Sequence, residues 1–121
     1  MNDREELLAL LQRYFDGLHR GDVTLLREAF HPQARLSGEV RGQVALRELE
    51  PYLQAVAKRA SPEQLGEPQR MEVAALQIDG AIALATARID MLGFQYLDQL
   101  SVLKDGGRWA IVHKLYTHTG S

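Results

Sequence analysis

The chain has 121 residues, a formal net charge of −2 and no cysteine. Its length suits one domain, residues 1–121, with a single hydrophobic core, and its 45% apolar and 25% charged residues are ordinary for a soluble globular protein. The small charge gives no electrostatic reason to expect nucleic acid or an anionic membrane, and the missing cysteines remove disulfides, thiolate nucleophiles and cysteine-ligated metals.

The first half reads as helical. Leu7, Leu8, Leu11, Tyr14, Phe15 and Leu18 recur at helical spacing. Asp3 is placed to cap this helix, with Glu6 completing a capping-box pattern, and Gly21 to end it. The charged start, Met1 to Glu6, contains no apolar signal segment, so a cytoplasmic protein is expected. No apolar run approaches membrane-spanning length. Asp22 caps a second, shorter helix, Val23–Phe30, which His31-Pro32 closes. Residues 34–40 alternate loosely as a short strand or bent hairpin, punctuated by Gly38 and Gly42. A third helix is predicted from Val44 to about Arg59, with Leu46, Leu49, Leu53 and Val56 on one side. Pro51 inside it demands a kink or a boundary. Residues 61–68, with two prolines and a glycine, predict an exposed loop.

The second half reads as strands. Gln69–Ile78 leads through Asp79-Gly80 into Ala81–Met91, a hairpin signal. Gly93 separates that strand from Phe94–Leu103. Asp105-Gly106-Gly107 forms the last turn, and Arg108–Thr117 the final strand. Helices first and contiguous hairpins afterwards predict an α+β domain, a strongly curved antiparallel sheet with three helices on one face. Such a cone leaves an open end able to hold a small ligand. Strict alternation puts Trp109, Ile111, His113 and Leu115 on one face of the last strand, and Phe94, Tyr96, Asp98, Leu100 and Val102 on the apolar, inward face of the preceding one. Ala110, Val112 and Tyr116 make the opposite face partly apolar too, which predicts a homodimer through the sheet face.

The run Gln12-Arg13-Tyr14-Phe15-Asp16-Gly17-Leu18-His19-Arg20-Gly21-Asp22, then Phe30-His31-Pro32-Gln33-Ala34, Tyr96-Leu97-Asp98-Gln99-Leu100 and Asp105 to Lys114 together resemble the nuclear transport factor 2-like superfamily. The start and the Asp105-Gly106-Gly107-Arg108-Trp109-Ala110-Ile111-Val112-His113-Lys114 end look most like its SnoaL-like and putative lumazine-binding branches, and more distantly like ketosteroid isomerase. The resemblance implies a cone-shaped, cystatin-like fold, usually dimeric, with a pocket between sheet and helices. It does not fix an activity, because the fold carries many. By likeness to ketosteroid isomerase, Tyr14 and Asp98 take the positions of that enzyme's oxyanion-hole donors, Asp98 as a protonated acid. The general base's position falls on Gly38, with Glu39 beside it. Glu39 would face inward only if a bulge at Gly38 turned it.

Each candidate also has a plainer reading. Tyr14 can be a core tyrosine with its hydroxyl at the rim. Asp98 can pair with Arg88 or Lys114 on neighbouring strands. His113, a possible proton shuttle, can be structural, and His31 can cap a helix end or stand at the pocket rim. Phe30, Leu36, Tyr52, Tyr96 and Trp109 complete the expected pocket wall with Tyr14, Asp98 and His113. The four histidines show no metal-ligand spacing, and neither a metal nor a cofactor is expected. Two functions follow. One is a small-molecule-binding domain for a flat or polycyclic apolar ligand with a polar oxygen. The other is an isomerase, cyclase or dehydratase acting on an enolisable carbonyl compound, with Tyr14 and Asp98 as donors and His113 or Glu39 moving the proton. A pure dimerisation module with a filled cone is a third reading.

Overall fold

A computed structural model describes residues 1–120. The first periodic segment forms helix α1 (Asp3–Arg20). Asn2, rather than Asp3, caps it, accepting from the Glu5 N–H at 2.8 Å. Asp3 is one residue inside the helix and turns to the sheet, where it accepts from Trp109 Nε1 at 3.1 Å and Lys104 Nζ at 3.0 Å. Gly21, at φ 65°, ends α1 in the left-handed conformation that a glycine adopts without strain. Asp22 caps α2 (Val23–Ala29) through the Thr24 and Leu25 N–H groups.

The helix predicted from Val44 begins later. Gln43–Glu48 forms strand β2, paired antiparallel to β1 (Phe30–Val40) across Arg41-Gly42, and α3 spans Leu49–Lys58. Val44 and Leu46 obey a strand's period of two, whereas Leu49, Tyr52, Leu53 and Val56 bury one face of a helix. Pro51 therefore falls in the first turn, where backbone N–H groups have no intrahelical partner, and no kink is needed. The loop at 61–68 is anchored at its start. Ser61 and Pro62 are buried, the Ser61 hydroxyl accepts from Gln64 N–H, and Glu63 N–H donates to the His19 carbonyl.

Strands β3 (Arg70–Asp79), β4 (Ile82–Met91), β5 (Phe94–Asp105) and β6 (Arg108–Gly120) follow as hairpins. Gly106 and Gly107, at φ 61° and 80°, supply the two positive φ angles of the tight turn that best matches strand twist. The six strands run in the order β2-β1-β6-β5-β4-β3 in a curved, unclosed sheet. All pairs are antiparallel except β1 with β6, which is parallel, so the sheet is mixed. The helices cover one face. Ala83, Ala85 and Ala87 of β4 bury there in the same core as Leu7, Leu11, Leu18 and Leu26. Among the described residues no helix is long and apolar enough to cross a membrane.

Strand β6 breaks strict alternation. Ile111 pairs with Val102 and His113 with Ser101, leaving Val112 as the extra residue of a β-bulge. Before the bulge Trp109 and Ile111 point to the core; after it Lys114 and Tyr116 do. The expected inward placement of His113 and Leu115 is thereby reversed, and Leu115 is exposed on the outer face.

Candidate functional site

The open end of the cone holds a cavity of about 240 Å³ between the sheet, α3 and the end of α1. Asp98 and Lys114 reach it from β5 and β6, Tyr52 from α3, Arg59 from just after α3, and Arg47 from β2. Asp98 is 1% exposed and Lys114 5%. The Tyr14 hydroxyl, from α1, donates to Asp98 Oδ2. Lys114 Nζ donates to the Tyr52 hydroxyl at 3.0 Å and lies 3.8 Å from Asp98 Oδ2. The ammonium also sits 5.3, 4.9 and 5.2 Å from the ring centres of Tyr14, Tyr52 and Tyr116, within cation–π range. Phe30 buttresses both phenols, with its ring centre 5.8 Å from Tyr14 and 6.2 Å from Tyr52.

Burial sets the electrostatics. It pushes the Asp98 carboxyl above the usual carboxylate range, although Lys114 and the Tyr14 hydrogen bond pull the other way. Burial, and then the adjacent Asp98, drive the Tyr14 phenol well above its ordinary value. Burial alone would lower Lys114, but Asp98 and Tyr52 outweigh it and hold the amine above its ordinary value. Lys114 is thus a fixed cation with no tendency to act as a free-amine nucleophile. Tyr14 directs its proton at Asp98, so the two form an internal pair.

Of the residues expected in the wall, Tyr52, Tyr96 and Asp98 line the cavity, and Tyr14 meets it through Asp98. Phe30 and Leu36 lie behind it as core. Trp109 is core at the other end of α1, held by Asp3. His113 faces the opposite side of the sheet, its Nε2 3.4 Å from the Ser37 hydroxyl. Glu39 faces that side too, because β1 has no bulge at Gly38. Its carboxylate accepts from Gly42 N–H at 2.6 Å and from Thr117 Oγ1 at 3.1 Å. Arg88 lies on the exposed face of β4, leaving Lys114 as the partner of Asp98. His31 is 3.1 Å from Asp105 and accepts from Gln33 N–H, remote from the cavity. Lys114 as a pocket cation, Arg47, Arg59 and Tyr116 were missed. The available signal was a lysine inside the largely apolar strand from Trp109 to Tyr116. Among the described residues no cluster of three or more His, Asp or Glu is arranged to hold a metal ion.

The outer face of the sheet carries a second, shallower concavity of about 420 Å³, walled by Val44, Leu46, Leu97 and Leu115. It has apolar walls and contains none of the buried charges.

The sequence profile of the family described as "Putative lumazine-binding" matches residues 2–117. The chain belongs to this family. Solved structures similar to this chain include an NTF2-like protein of unknown function from Shewanella baltica OS155. It is 25% identical, with a TM-score of 0.87 over 98% of this chain and 95% of that one. Another, from Silicibacter pomeroyi DSS-3 and also of unknown function, is 26% identical, with a TM-score of 0.87 over 98% and 99%. A ketosteroid isomerase-like protein from Erwinia carotovora atroseptica shares the fold at 12% identity, with a TM-score of 0.74 over the full length of both chains. No curated protein matches the chain. In this member of the family, the position beside Gly38 is filled from across the strand. A Cβ added there would collide with the Tyr116 ring. The glycine therefore makes room for Tyr116, and the place where a base was sought is occupied by a phenol.

Proposed function

We propose that the chain is a small-molecule-binding domain whose ligand occupies the inner cavity and meets Lys114 and Tyr52 with a polar oxygen. One observation carries this reading. A four-member polar network, Tyr14–Asp98–Lys114–Tyr52, is buried at the wall of a cavity instead of being replaced by core side chains. Buried ion pairs add little to stability compared with apolar packing, so their presence beside empty volume favours a ligand. The lysine keeps donor capacity beyond its bond to Tyr52, and the Tyr52 proton is free to donate. The family's description adds support for a flat heterocycle such as lumazine, which presents carbonyl oxygens on a planar bicycle. Titration calorimetry with lumazine and other flat bicyclic carbonyl compounds tests the reading. Saturable one-to-one binding that weakens in Lys114→Met and Tyr52→Phe is expected; no binding by any of them would remove it.

The isomerase, cyclase or dehydratase alternative has less behind it. Asp98 is the one carboxylate on the cavity lining among the described residues, and it is already engaged by Tyr14 and Lys114. Glu39 and His113 both sit on the far side of the sheet, so the reaction lacks a base.

We also propose a homodimer formed through the outer sheet face. Val44 and Leu46 are 72% and 78% exposed, and Ile82, Leu84 and Leu115 extend the same face. Val44, Leu46, Leu97 and Leu115 wall one apolar concavity on it, and such a surface suits a self-complementary interface.

A further inference from the structure

The charge of the inner cavity is lopsided. Arg47, Arg59 and Lys114 face it against the single carboxylate of Asp98. That carboxylate is already used by Tyr14 and Lys114. The two guanidiniums are not neutralised in the same way: among the described residues, the ion pairs of the chain involve neither Arg47 nor Arg59. Arg59 stands out further. It follows the last turn of α3, and its Nη2 is buried without a hydrogen-bond partner among the described residues. A charged donor removed from water and left without an acceptor is costly, and such groups are nearly always satisfied. Its position as the C-cap of α3 suits the helix dipole but gives Nη2 no acceptor. Arg59 also lines the cavity, so an anion that enters meets an arginine that no carboxylate among the described residues neutralises.

We propose that the cavity selects a small planar aromatic or heteroaromatic carboxylate, whose negative charge pairs with the unneutralised guanidinium of Arg59. This deepens the ligand-binding reading above and rests on it. A guanidinium stays charged at any ordinary pH and is more weakly hydrated than an ammonium, so it suits an anion taken out of water. Arg47, at the rim, adds to the positive field that draws the anion in. Ile89, Met91 and Tyr96 offer the apolar surface for the ring, and Lys114 with Tyr52 takes an oxygen at its inner end. The volume of about 240 Å³ lies below the roughly 300–1,000 Å³ of sites for drug-sized ligands, which limits the ring system to one or two rings.

The test compares 1-naphthoate with its neutral counterpart, 1-naphthamide, by titration calorimetry at neutral pH and low salt. The probes differ in charge and hardly in shape. Wild type is expected to favour the acid by about tenfold or more. Arg59→Gln is expected to abolish most of that preference, and its circular dichroism spectrum shows that the variant is folded. Arg35→Gln, on the outer surface, is expected to behave as wild type. Equal affinity for acid and amide in wild type, or an undiminished preference in Arg59→Gln, would overturn the anion inference and leave the binding reading standing. Failure of both probes to bind would overturn the two together.

Discussion

The Tyr14 hydroxyl donates to Asp98 Oδ2, joining helix α1 to strand β5 across 84 residues of sequence inside the protein. The bond fixes the helix against the sheet at the edge of the cavity. Both groups are buried, and without the phenol Asp98 Oδ2 keeps only the longer contact to Lys114, at 3.8 Å. Tyr14→Phe is expected to destabilise the fold by about 1–3 kcal/mol, the usual cost of an unmet buried acceptor. Urea denaturation measures it. The same substitution removes a group that lowers the Asp98 pKa, so the carboxyl is expected to titrate still higher, which carbon NMR of its side chain reads. An unchanged urea midpoint would show that the bond carries no weight.

Asp98 should also leave a mark on the pH dependence of stability. Its folded-state pKa lies above the ordinary value of 3.8, chiefly through burial. Between those two values the folded protein keeps a proton that the unfolded chain has released. Stability from this group is therefore full below the ordinary value and falls as pH rises through the folded one. Against Asp98→Asn, which cannot titrate, wild type is expected to lose relative stability on moving up through that window. Urea midpoints of both proteins from about pH 3 to 8 provide the comparison. A constant difference across the range would contradict the assignment.

Lys114 depends on its neighbours for its charge. Lys114→Met removes one half of a buried pair and is expected to cost up to about 3–5 kcal/mol near neutral pH. Combining it with Asp98→Asn leaves two neutral side chains, and a good part of the loss is expected to return. The double-mutant cycle reads the coupling directly. Strict additivity would mean that the 3.8 Å separation is not an energetic contact.

Gly38 tests the close approach of Tyr116. Gly38→Ala places a methyl group against that ring, and overpacking of this kind costs about 1–3 kcal/mol. Adding Tyr116→Ala frees the space, so the double variant is expected to be less destabilised than the sum of the two single changes. Thermal melts of the four proteins decide the matter, and a double variant as poor as that sum would refute the steric account.

The outer face predicts assembly. Leu46→Glu and Leu115→Glu each put a carboxylate on the exposed apolar surface without touching the core. Either is expected to shift a dimer to monomer in sedimentation velocity experiments while leaving ligand binding intact. A wild-type protein that sediments as a monomer at all concentrations would refute the dimer.

The helices, hairpins and inward Asp98 were legible because each rests on a local pattern. Leu7, Leu11 and Leu18 repeat at the spacing of a helix, Asp105-Gly106-Gly107 announces its own turn, and the alternation of β5 is unbroken around Asp98. Residues 43–48 were misread because Leu46, Leu49 and Leu53 fit a helical stripe by accident, and six residues are too few for alternation to outvote it. The parallel pairing of β1 with β6 has no local signature at all, since it joins segments far apart in the chain. The buried environment of Lys114 was hidden for a different reason. A bulge leaves the composition of its strand unchanged, and only the pairing partner reveals which residue is extra.

Val112 therefore decides the chemistry of the chamber it does not line. With that one residue accommodated out of step, β6 offers the interior a permanent positive charge and hides its imidazole. Were Val112 paired in register instead, strict alternation would turn His113 inward and the amine of Lys114 to the outer face. Deleting Val112 would keep Lys114 facing inward, because removal of the extra residue leaves His113 opposite Ser101 and Lys114 opposite Leu100.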